Sequence, residues 1–216
     1  MMQYNIWLMP YGNFCGDDHN STWGVAVKIA EKLKSFSTAD KTYNCRIKRV
    51  GVNIYDADDA FDEVEFLEKS GQLNIHAVIA LGTGGPDQLF NFEHTGIANG
   101  NTISDSYDLY GRAISTPLRE YADNLSDTVA GWYFDDSIRH LVQKIESAGG
   151  QRSESTGAGD YLCAYMTEKL AASSVLSNKS FFIHIKDFDS AKDESGRNRA
   201  GQLIAGFVDR FCQKQY

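Results

Sequence analysis

The sequence has no apolar run near the roughly 20 residues that a membrane-spanning helix needs. It has no excess of basic charge either. Twenty-one Lys and Arg stand against 29 Asp and Glu, a formal net charge of −8. No basic stripe is therefore at hand to offset phosphate charge, which argues against nucleic acid and anionic membranes as partners. The four cysteines (15, 45, 163 and 212) form no CxxC pair, so neither a zinc site nor a disulfide framework is indicated. The opening stretch MMQYNIWLMPYG carries neither the basic segment nor the apolar core of a signal peptide. Together these absences predict a cytoplasmic protein with reduced thiols and no metal. No repeat or low-complexity linker divides the 216 residues, so residues 1–216 read as one domain.

What is present is an alternation of strand-like and helix-like segments. YNIWLM (4–9), CRIKRVGVNI (45–54), IHAVIALG (75–82) and KSFFIHI (179–185) read as strands, the third a β-branched run entering a glycine-rich turn. Between them lie helical patterns. NSTWGVAVKIAEKLKSF (20–36) has Asn20 or Ser21 as its cap and Trp23, Val27, Ala30 and Lys34 at helical spacing. DADDAFDEVEFLEKSG (56–71) is acidic at its start and closed by Gly71. DDSIRHLVQKIESAGG (135–150) and SGRNRAGQLIAGFVDRFCQKQ (195–215) complete the set, while 86–125 is irregular, with loops, a short strand or a flap. Such interleaving implies an α/β protein with a mostly parallel or mixed sheet covered on both faces, and sites where strands end and helices begin.

One thiol sits at such a junction. In STGAGDYLCAY (155–165), glycines precede a helix expected to start between residues 157 and 160, and Cys163 follows just inside it. A cysteine is nucleophilic only as thiolate, which a helix N-terminus and a neighbouring imidazolium both favour. An arbitrary cysteine more often packs as a small buried hydrophobe, but glycines ahead of it let a substrate approach the backbone. Exposed N–H groups of the first turn suit an oxyanion. Of the five histidines, His140 lies on a polar helix face, His76 begins a strand as a structural residue, and His19 sits among aspartates in a loop. His184 interrupts the apolar run FFIHI, which suits either a hydrogen-bonded core histidine or a catalytic base. Glu93, in NFEHTG, is a lone acid beside aromatics, either merely solvated, as most glutamates are, or placed to orient an imidazole.

Taken together, these segments resemble the pyroglutamyl peptidase I (pyrrolidone-carboxylate peptidase) family of cysteine peptidases. STGAGDYLCAY resembles the family's nucleophile signature at Ser155, Ala158, Gly159, Tyr161, Leu162 and Cys163. FFIHI is similar to its Phe-Ile-His-Val segment, and VIALGTGGPDQLFNFEHTG to its strand, glycine turn and glutamate. NFCGDDHNSTW matches the N-terminal loop at Phe14, Gly16, Asn20 and Trp23. The resemblance implies a three-layer α/β/α sandwich with a mixed, mostly parallel twisted sheet. It implies a catalytic triad of Cys163, His184 and Glu93, and no metal or other cofactor. It also implies removal of an N-terminal pyroglutamyl residue from peptides by a thiol omega peptidase. The substrate, a peptide or small lactam, is expected to meet Tyr11, Phe14, Thr83 and Leu162, with Tyr11 and Phe14 at the family's aromatic positions. Because family members are often oligomeric, a homo-oligomer is also implied.

The chain departs from the family around the substrate. Thr83 replaces a common glutamine, Cys15 a glycine, Thr102 an arginine and Ala164 an asparagine, while the triad positions persist. Two alternatives therefore stand beside the pyroglutamyl peptidase reading. One is a cysteine amidohydrolase acting on another acyl or lactam group; the other is a non-catalytic binding protein on the same scaffold.

Overall fold

A computed structural model describes residues 1–12, 21–84, 89–93, 106–107, 113–114, 136–149, 162–188 and 193–215. Strand β1 (Met2–Pro10) leads to α1 (Ser21–Ser35), β2 (Lys41–Ile47), α2 (Ile54–Lys69) and β3 (Ala77–Gly84). Then come β4 (Phe90–Phe92), the short pair β5 (Ser106–Tyr107) and β6 (Ala113–Ile114), and α3 (Asp136–Gly149). The chain closes with α4 (Leu162–Ala172), β7 (Ser180–Lys186) and α5 (Glu194–Gln215). The main sheet has the order β2-β1-β3-β7-β4. Its first four strands are parallel, and β4 runs antiparallel along the β7 edge.

Side chains alternate across these strands and build two cores. Ile6, Leu8, Ile79, Leu81, Phe181 and Ile183 face one side, under α1, α3 and α5. Trp7, Met9, Val78, Ala80 and Phe182 face the other, under α2 and α4. The first core centres on interlocked rings: Phe207 lies 4.7 Å from Phe92 and 4.8 Å from Phe181, edge to face in both cases. The architecture is the expected α/β/α sandwich with a mixed, mostly parallel sheet. Among the described residues, no helix is long and apolar enough to cross a membrane.

Several boundaries differ from those the sequence pattern predicts. The second strand occupies 41–47 rather than 45–54. Its polar-looking start is an edge strand whose Tyr43 stacks on Tyr4 at 5.3 Å. The apolar tail VGVNI is recruited elsewhere. Asn53 Oδ1 accepts from Asp56 N at 2.8 Å and so caps α2, which makes Ile54 its first residue. Gly71 adopts φ +69 just past that helix, as its position as a stop predicted. In α1 the stripe Trp23, Val27, Ala30 and Lys34 is not the buried one. Thr22, Val25, Ala26, Ile29 and Leu33 face the core, and Trp23 is 46% exposed. Ser21 starts this helix and Asn20 lies outside the described residues, yet the Ser21 hydroxyl serves another element. It accepts from Phe188 N at 2.7 Å, fastening α1 to the chain beyond β7. Within the irregular stretch, β4 is the short strand that covers the sheet edge, and α3 in turn covers β4.

Phe207 is fully buried at the centre of the ring cluster. Phe207→Ala is expected to cost about 3–5 kcal/mol of stability, read from urea unfolding midpoints at constant slope.

Candidate active site

The order β2-β1-β3-β7-β4 places a topological switch between β1 and β3, because successive crossovers leave in opposite directions there. In open α/β sheets, ligands bind beyond the carboxyl ends of the strands at such a point. Tyr11 follows β1, Gly82 and Gly84 end β3, and His184 lies near the end of β7, opposite Gly82 in the register.

Period-2 alternation places Gly82 and Gly84 on the same face as Phe182 and His184. Both glycines are needed for space. A Cβ on Gly82 would lie 2.7 Å from Cys163 Sγ, and one on Gly84 would lie 2.9 Å from the His184 ring. The end of β3 is thus hollowed out for the thiol and the imidazole. Cys163 lies on α4, described from Leu162; the start expected between 157 and 160 falls in 150–161, outside the described residues. The first-turn N–H groups of a helix have no intrahelical acceptor and carry the positive end of its dipole.

His184 joins the other two groups. Its Nδ1 lies 2.7 Å from Glu93 Oε1, and the Cys163 thiol is near enough to act on the same ring by charge and hydrogen bonding. Glu93 is 2% exposed, and its own N–H donates to Phe182 O at 2.9 Å, continuing the β4–β7 ladder by one residue. Burial opposes charge on His184. The negative charge and hydrogen bond of Cys163, then those of Glu93, prevail and push its pKa up to about 10. The Phe182 ring meets the imidazole edge to face at 5.2 Å and leaves it little freedom to turn. Cys163, His184 and Glu93, predicted as a triad, are therefore brought together.

Of the predicted substrate contacts, Tyr11, Thr83 and Leu162 are described. Tyr11 is buried, beside Phe182 at 6.3 Å, and its hydroxyl donates to Leu162 O at 2.9 Å. Burial, then the nearby Cys163, raises its pKa well above the usual phenol range, so it remains a donor. Thr22 Oγ1 donates to Tyr11 O at 2.7 Å and holds the residue from the other side. Tyr11 thus ties the start of α4 to the end of β1. Leu162 packs into the α2–α4 core and offers this arrangement its carbonyl. Thr83 alternates onto the opposite face from Gly82 and Gly84, so only its main chain borders the thiol side. Phe14, Cys15 and Thr102 lie outside the described residues. Ala164 is fully buried.

The remaining histidines behave as structural or solvated groups where described. His76 is buried, and its Nδ1 accepts from Asn5 N at 3.1 Å. His140 is exposed, and His19 and His94 lie outside the described residues. Cys45, Cys163 and Cys212 are free thiols. Among the described residues, no group of His, Cys, Asp and Glu is placed to hold a metal ion. The steric role of Gly82 and Gly84 is absent from the sequence reading. Its available signal was a glycine at every second position of a strand end, on the face that must admit larger side chains.

No protein-family model matches the sequence, and none of the curated proteins resembles it closely enough to count. Solved structures do match. Pyrrolidone carboxyl peptidase from the hyperthermophile Pyrococcus furiosus superimposes with a TM-score of 0.64 at 18% identity, over 98% of this chain and 99% of that one. Two variants of that enzyme give 0.65 and 0.67, each at 16% identity and the same coverage. The fold is that of the pyrrolidone carboxyl peptidases. The superposition runs over nearly the whole of each chain, so the likeness belongs to the full sandwich and not only to its common parallel core.

Burial pushes the Cys45 and Cys212 thiols up to about 11 and 12, whereas Cys163 is hydrogen-bonded to an imidazole. Iodoacetamide at neutral pH is expected to label Cys163 before either of them, as followed by peptide mass spectrometry. Gly82→Ala should displace the sulfur and slow that labelling. Where activity depends on the sulfur's position, the loss should be on the order of 100-fold.

Proposed function

We propose that this chain is a cysteine-type omega peptidase that hydrolyses the N-terminal pyroglutamyl residue from peptides. The observation that carries the reading is the convergence of Cys163, His184 and Glu93 at the switch point, with Nδ1 of the histidine 2.7 Å from a buried carboxylate. In the proposed reaction the Cys163 thiolate attacks the pyroglutamyl carbonyl carbon. The resulting oxyanion is met by first-turn N–H groups of α4. Protonated His184 gives its proton to the departing amine, the C–N bond breaks, and a thioester remains. Water, deprotonated by His184, then attacks the thioester; pyroglutamate leaves and the thiolate–imidazolium pair is restored. Glu93 fixes the ring through Nδ1 and stabilises its charge, and no metal or other cofactor takes part.

A lactam is flat and uncharged, so its slot calls for apolar walls and a few directed hydrogen bonds. Thr83 contributes main chain to that slot, and Phe14 contributes the aromatic wall. A second reading draws on the buried Tyr11, whose hydroxyl is engaged by α4. With this aromatic position committed to the scaffold and with Thr83, Thr102 and Ala164 altered, a cysteine amidohydrolase with another acyl or lactam substrate uses the same triad. We further propose that residues 1–216 act as one domain, in the cytoplasm, as a homo-oligomer and without nucleic-acid or membrane partners.

Release of a fluorescent amine from a pyroglutamyl amide, abolished in Cys163→Ala, is the expected result. Thiol-directed inactivation without that turnover would shift the reading to the alternative amidohydrolase. Iodoacetamide labelling of Cys163 no faster than that of a free thiol would favour a binding protein.

The pH dependence has a definite sign. The His184 pKa lies above its ordinary value, so the proton needed for the leaving amine is held through neutral pH and lost as pH rises through about 10. Glu93→Gln removes one of the two groups that hold the proton. The alkaline limb of kcat/KM should therefore move to lower pH, measured with the same amide substrate.

A further inference from the structure

Glu146 is a buried acid on α3, 4% exposed, and the reaction described above gives it no part. Its Oε1 accepts from Phe92 N at 2.9 Å. Phe92 is the last residue of β4, and Glu93 follows directly. The bond has a clear geometric reason. In the antiparallel β4–β7 pair, Glu93 N donates to Phe182 O and Leu89 O accepts from Lys186 N, so these groups of Glu93 and Leu89 turn toward β7. Phe90 and Phe92, in alternation, turn theirs outward from the sheet edge. An outward N–H at an edge needs water or a partner. Here α3 supplies one, since Phe92 N donates to Glu146, and just ahead of the strand Leu89 N donates to Gly149 O at 3.3 Å. Gly149 also lets α3 approach, because a Cβ there would lie 3.1 Å from the Phe90 ring.

We infer that Glu146 is a positioning residue for the Glu93–His184 pair, holding through the Phe92 N–H the strand end that aims the Glu93 carboxylate at Nδ1. The inference rests on the cysteine-peptidase reading for its importance but not for its geometry. The strand end that carries Glu93 is held by β7 on one side and, through Phe92 N, by Glu146 of α3 on the other. Remove the α3 anchor and the second of these holds is lost. The acid then keeps its burial but loses its aim.

The ionisable groups facing His184 are Cys163 from α4 and Glu93 from the end of β4, while β3 presents Gly82 and Gly84. A slack Glu93 therefore removes one of two supports for the imidazolium. The test reads His184 itself, by NMR titration of the imidazole in folded protein, which needs no substrate. Glu146→Ala is expected to move its midpoint down by about one unit. Glu146→Asp, which keeps the acid but withdraws it by one methylene, should move it in the same direction by less; it carries the test if the alanine variant does not fold. Glu146→Gln retains an oxygen acceptor and should restore the midpoint. An unchanged midpoint in folded Ala and Asp variants, or a Gln variant that behaves as Ala does, would overturn the inference. Failure of the wild-type chain to cleave a pyroglutamyl amide would instead remove the peptidase reading and leave these shifts standing.

Discussion

The site depends on one contact, the 2.7 Å approach of a nearly inaccessible carboxylate to an imidazole nitrogen. A carboxylate taken out of water is costly unless it is paired and hydrogen-bonded. Glu93 is tolerated beside Phe182 because His184 supplies a partner that carries the opposite charge when protonated. The benefit is mutual, since the ring keeps its proton against burial partly through Glu93. The Cys163 thiol acts on the same ring and completes the set.

The sheet is arranged to make that contact possible. One face is thick with aromatic packing under α1, α3 and α5. The other is filled by α2 and α4, and at its carboxyl edge the side chains of β3 shrink to nothing. Space for the thiol and the ring is created there by subtraction at Gly82 and Gly84. Tyr11 closes the arrangement from the β1 side, its phenol donating to Leu162 O of α4.

Much of this was legible in the linear sequence. Period and glycine stops located most elements, and the polar interruption in FFIHI, the thiol behind a glycine pair and the acid in NFEHTG marked the three groups that meet. The misreadings share a cause. The tail of CRIKRVGVNI looked like strand because local apolarity says nothing of a cap such as Asn53. The spacing of Trp23, Val27, Ala30 and Lys34 marked α1 as a helix but not its buried face, because Trp23 is hydrophobic yet 46% exposed. For Tyr11 the sequence shows an aromatic ring but not where its hydroxyl points, which is to Leu162 O. Glu146 gave no signal at all, because its role exists only once α3 docks on a sheet edge.

The three members of the constellation ride on elements of unequal tenacity. Histidine and thiol belong to an interior strand and a helix sealed into a core, but the acid trails a three-residue ribbon at the periphery. Local opening is easiest where the fewest neighbours hold the backbone. Alignment and foldedness are thus distinct quantities in this molecule: a small shift at the end of the edge strand would turn the acid away from the ring while Phe90 and Phe92 stay anchored in the core.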